Sequence, residues 1–89
     1  MATTLTADVL QDELAVSLAR ALAAANKRAR ELGMDVNGSL ITITQHALNG
    51  QLLWRINYGP KDYVGRRGGD LIIEVDQTDA SVKQVLQGQ

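Results

Sequence analysis

The chain has 89 residues, 45% of them hydrophobic, with no cysteine and a formal net charge of −1. That length holds one domain, residues 1–89, with a single thin core, and the missing cysteine excludes disulfides, thiolate chemistry and Cys-ligated zinc. The charge balance argues against a general nucleic-acid binder, which needs surplus Lys and Arg to displace phosphate counterions, and the apolar runs are too short to span a bilayer.

The opening Met-Ala-Thr-Thr-Leu-Thr lacks a basic start followed by an apolar run, so no export signal is read and a cytoplasmic location is expected. Residues 8–32 then predict one helix. Leu10, Leu14, Leu18, Leu22, Ala25, Ala29 and Leu32 recur at spacings of three and four and line one face. Glu13, Ser17, Arg20, Ala24, Lys27 and Glu31 fall opposite. Thr6 or Asp8 can cap its start, acidic residues cluster there and basic ones at its end, and Gly33 can take the left-handed position that closes it.

A hairpin follows. Asn49-Gly50 lies between two alternating runs, and this dipeptide favours the tight turn in which both central residues have positive φ. Folding there sets Leu48 against Gln51, Gln45 against Trp54, Ile43 against Ile56 and Ile41 against Tyr58. Ile41, Ile43, Ala47, Leu52, Trp54, Ile56 and Tyr58 then share one face, while Thr42, Thr44, His46, Leu53, Arg55 and Asn57 share the wetter one. Residues 59–69 read as a polar loop and 70–76 as a third strand. Val82, Val85 and Leu86 fit either a short helix or a fourth strand, the strand being preferred on composition. The whole predicts an α+β fold, one long N-terminal helix packed on a three- to four-stranded antiparallel meander in the order α-β-β-β-β.

Trp54-Arg55-Ile56-Asn57-Tyr58, then Ile72-Ile73-Glu74-Val75-Asp76, then Val82 to Leu86 resemble the strands of PepSY-type domains, and the helix-then-meander order resembles the cystatin-like arrangement. The resemblance covers most of the chain and implies a fold. The turn after Asp76 lacks the usual Gly. The hairpin Gln45-His46-Ala47-Leu48-Asn49-Gly50 does not match the cystatin Gln-x-Val-x-Gly signature, so protease inhibition is not implied.

No catalytic constellation is legible. His46 is the only histidine and has no predicted acid or nucleophile beside it. Glu74 and Asp76 share a strand face with Arg55 and Asn57 next door, which points to cross-strand ion pairing rather than acid–base work. No metal site or cofactor is expected. Two surfaces remain as candidates. The loop residues Lys61, Tyr63, Arg66 and Arg67, with Arg55, could present guanidinium forks and backbone N–H groups to a phosphate or carboxylate. Strand 39–48 is a sheet edge without Pro or Lys, with Thr42, Thr44 and His46 on its polar face, and could accept another strand. The expected function is therefore a non-enzymatic protein-binding or self-associating module. The alternative is a nucleic-acid-binding module using the basic loop; a helix over 79–87 would give the α-β-β-β-α order of double-stranded RNA-binding domains.

Overall fold

A computed structural model describes residues 7–60 and 70–87. Two helices, α1 (Ala7–Gln11) and α2 (Glu13–Glu31), precede four strands, β1 (Ser39–Leu48), β2 (Gln51–Pro60), β3 (Leu71–Asp76) and β4 (Val82–Gln87). The strands form one antiparallel meander in the order β1-β2-β3-β4. The fold is thus the expected α+β arrangement, with three local corrections.

The first concerns the helix, which is interrupted where the sequence predicts continuity. Asp12 is extended (φ −86°, ψ 105°) and its Oδ1 accepts the N–H groups of Leu14 (3.0 Å) and Ala15 (3.1 Å). A short carboxylate offers the backbone a capping alternative to helical continuation, worth about 1 kcal/mol. At the far end Gly33 (φ 88°) donates to the Arg30 carbonyl and Met34 donates to that of Ala29. That pair of bonds is a Schellman closure and uses glycine as the sequence suggests.

The second concerns which face of the helix is buried. The line of closest contact is Ala21, Ala25 and Ala29, each fully buried, with Leu18, Leu22 and Leu32 only partly buried along its flank. Leu10 and Leu14, placed in the buried stripe by periodicity, are more than half exposed. Ser17, assigned to the solvent side, turns inward. Its hydroxyl donates to the Gln77 carbonyl (2.8 Å) and accepts from Trp54 Nε1 (3.1 Å). The reason is steric. Trp54, Ile56 and Tyr58 of β2 and Leu71, Ile73 and Val75 of β3 fill the space above the sheet, so alanines let the helix come closest.

A second polar bond completes the seating. Tyr58 donates to Asn26 Oδ1 at 2.6 Å. Nine helical residues between Ser17 and Asn26 rise about 13.5 Å, and four strand residues between Trp54 and Tyr58 rise about 13.6 Å. The two bonds therefore match in spacing. At about 100° per residue, Ser17 and Asn26 also lie on opposite flanks of the alanine line, so the pair fixes both the roll and the axial position of α2.

The third correction concerns the strands. The β1–β2 register matches expectation pair for pair, around Asn49 (φ 52°) and Gly50 (φ 80°). However, β2 continues through Gly59 and Pro60, where the sequence predicts a loop. Residues 82–87 form a strand paired with β3, with a register shift between Glu74 and Val75. The helical alternative for this segment, and with it the α-β-β-β-α order, is not formed.

Burial pushes the Tyr58 phenol up to about 12 from its ordinary 10, against a smaller opposing pull from Arg30. Below pH 10 both folded and unfolded phenols are neutral, so the stabilisation is complete. It is lost as pH rises from 10 to 12, where only the unfolded phenol has ionised; its size is on the order of 2 kcal/mol. Urea melts across this range should show wild-type stability falling more steeply than that of Tyr58→Phe. Parallel curves would contradict the assignment.

Candidate functional site

Among the described residues β1 has one strand neighbour, β2, and its other side is an edge. A two-residue hairpin closes on a hydrogen-bonded pair, here Leu48 and Gln51, and such pairs recur every second residue. The peptide groups of Leu40, Thr42, Thr44, His46 and Leu48 are thereby turned toward β2. Those of Ile41, Ile43, Gln45 and Ala47 are turned outward. The strand is ten residues long and its sequence, SLITITQHAL, holds no Asp, Glu, Lys, Arg or Pro.

Helix cover does not reach this strand in the same way. α2 packs on β3 and β2, leaving Ile41, opposite Tyr58, and Leu52, opposite Ala47 near the hairpin turn, both exposed on the helix side. On the other face Thr42 and Thr44 are exposed, His46 is half-buried, and Leu40 and Leu48 are 48% and 50% exposed. The opposite edge differs: β4 has six residues, carries Lys83, and meets the register shift of β3. Lysine and irregular pairing are the devices that discourage strand addition.

The face away from the helix is less wet than the sequence suggests. Leu53, Glu74 and Asp76 are all buried there. Leu53 lies on a central strand between His46 and Asp76. Glu74 accepts from Arg55 Nε at 2.9 Å, the cross-strand ion pair expected from sequence. Asp76 Oδ1 instead accepts from the N–H groups of Thr78 (2.7 Å) and Asp79 (3.2 Å) and organises the β3–β4 turn. In the same turn Asp79 Oδ1 accepts the amide and hydroxyl of Ser81, which hold its carboxyl below the usual range. The two neighbouring carboxylates thus have separate structural partners.

Arg55, a candidate for partner contact, therefore spends its Nε on Glu74, although its side chain is still 41% exposed. Lys61, Tyr63, Arg66 and Arg67 lie outside the described residues. A cleft of about 320 Å³ opens between the start of α2 and the β3–β4 turn, lined in part by Glu13, Arg20 and Ser17. Two hydroxyl residues line it, Ser17 and Thr78, and the Ser17 hydroxyl is already bonded to Trp54 and Gln77. His46 is on the other face of the sheet, away from it. Among the described residues no group of three or more His, Cys, Asp or Glu could hold a metal ion, and no helix is long and apolar enough to cross a membrane.

Sequence reasoning identified the β1 edge from hairpin and strand patterning. It missed the structural use of Ser17 and Asn26, because small polar residues on a helix carry no periodic signal. No family model, curated protein or solved structure matches the chain. The PepSY-type and cystatin-like likeness accordingly stands as a likeness of fold, which the helix and four-stranded meander are compatible with.

The buried Glu74 depends on Arg55 for charge compensation. Arg55→Met should destabilise by about 2 kcal/mol, less than a fully buried pair because the guanidinium is partly solvated. Arg55→Met/Glu74→Leu should recover most of that loss. Chemical denaturation of both variants checks this; a double variant no more stable than the single one would contradict it.

Proposed function

We propose that this chain is a non-enzymatic, cytoplasmic binding module that accepts another β-strand along β1. The observation that carries the reading is the asymmetry of the sheet's two edges. β1 is long, uncharged and free of proline, whereas β4 is short and carries Lys83. Backbone groups that point outward from Ile41, Ile43, Gln45 and Ala47 have the regular spacing an added strand needs, and alternate side chains beside them would set specificity. The bonding of Ser17, Glu74 and Asp76 to structural partners supports a non-catalytic reading.

Gln45 separates the contribution of backbone from that of side chain. Gln45→Pro removes an outward N–H, which an edge strand tolerates, whereas Gln45→Ala keeps it and removes only the side chain bonded to Gln77. In a nuclease-treated pull-down, a protein partner should be retained by wild type and Gln45→Ala. It should be lost from Gln45→Pro and from Thr44→Lys, with the fold of every bait verified by circular dichroism. A partner kept by all four baits would place binding elsewhere. One released by nuclease would favour the nucleic-acid reading.

A further inference from the structure

We infer that the strand added to β1 is β1 of a second copy, paired antiparallel about a two-fold axis at Thr44. This rests on the edge-binding reading above and names its partner.

Register selects the pairing. Two outward edges pair so that residues with outward peptide groups face one another, which requires odd positions opposite odd ones. Among such registers, the one centred on Thr44 uses all four outward residues. It sets Ile41 against Ala47 of the second copy and Ile43 against Gln45, each twice, for about eight inter-chain backbone hydrogen bonds. Shifting the centre by one residue either way, to Ile43 or Gln45, leaves one of these four without a partner from the same set.

The side chains agree with the backbone. Leu40 and Leu48 are the most exposed large apolar residues on the strand and lie four positions either side of Thr44. The two-fold therefore brings Leu40 of each copy against Leu48 of the other, on the face away from the helix. Thr42 meets His46, and Thr44 meets its own symmetry mate. Cross-strand Thr–Thr pairs are favourable, and like charges directly opposite are the usual obstacle to self-pairing. No Asp, Glu, Lys or Arg occurs in the strand, so the pairing sets no formally charged side chains of like sign against each other. The same operation on β4 would use a strand of only six residues carrying Lys83.

Size sets the strength. Ten strand residues span about 34 Å, and a contact strip about 10 Å wide buries roughly 350 Å² per copy. A standard stable interface needs about 800 Å² per partner. The dimer belongs to the transient class, with dissociation in the micromolar range or weaker, and forms one continuous eight-stranded sheet.

The chain contains no cysteine, so a single introduced thiol reports the register. Thr44 faces its own copy at a non-hydrogen-bonded position, where Cα atoms are about 4.5 Å apart, within disulfide range. Sedimentation velocity on the full chain should show a monomer–dimer equilibrium shifting with concentration between about 1 μM and 1 mM. Under mild oxidation Thr44→Cys should form covalent dimer at least tenfold faster than Thr42→Cys or His46→Cys alone. A mixture of the last two should cross-link efficiently. A chain that remains monomeric throughout overturns the inference, as do equal rates for the three thiol variants. If the chain is monomeric but Gln45→Pro still abolishes capture of a different protein, the edge reading survives and only the second copy is rejected.

Discussion

Everything in this molecule depends on how closely α2 approaches the sheet. Ala21, Ala25 and Ala29 are fully buried against β2 and β3, and their small side chains let the helix pack closely over the core that holds Trp54 and Tyr58. A larger residue in that line would have to displace the aromatic side chains or lift the helix. The polar bonds from Ser17 and Asn26 then lock what the alanines allow, because they grip opposite flanks of the helix at a spacing that matches the strand. With few aromatic residues in the chain, the core concentrates around these two rings and the aliphatic side chains of β2 and β3.

That seating has a consequence for the rest of the sheet. A helix centred on β2 and β3 leaves the outermost strand of the hairpin without equivalent cover. β1 is long because its hairpin is long, and the hairpin is held in register by its turn and by its apolar alternation rather than by the helix. The edge therefore combines regular geometry with low charge and exposed leucines at both ends. On the other side of the sheet, β4 is shortened and offset by the turn that Asp76 organises. One fold thus produces an edge suited to strand addition and an edge poorly suited to it. The resemblance to PepSY-type and cystatin-like folds adds the architecture to this picture and says nothing about a partner.

Much of this was legible in the sequence where a period or a turn signal governs local structure. Asn49-Gly50 dictated the hairpin, and with it the β1–β2 register and the edge. Gly33 marked the end of the helix. Reading failed where two local rules competed or where tertiary contact decided. At Asp12 a capping carboxylate outweighed apolar periodicity and broke the helix. At Leu10 and Leu14 periodicity promised burial, but the sheet surface lies under the alanine line instead. Ser17 and Asn26 bond to partners far away in sequence, which no local pattern encodes. The burial of Leu53 and Glu74 follows from their places on central strands, so counting hydrophobic alternation alone misassigns them. The ion pair of Arg55 with Glu74, by contrast, followed from register.

The central claim is that β1 is an open, regular edge, and amide hydrogen exchange resolved residue by residue tests it most directly. In solution dilute enough to disfavour the proposed β1–β1 pairing, protection should alternate along the strand. The amides of Thr42, Thr44 and His46, bonded to β2, should exchange slowly, and those of Ile41, Ile43, Gln45 and Ala47 should exchange fast. Comparable protection of both sets in the monomer would mean that β1 is already paired within its own chain, and would contradict the account.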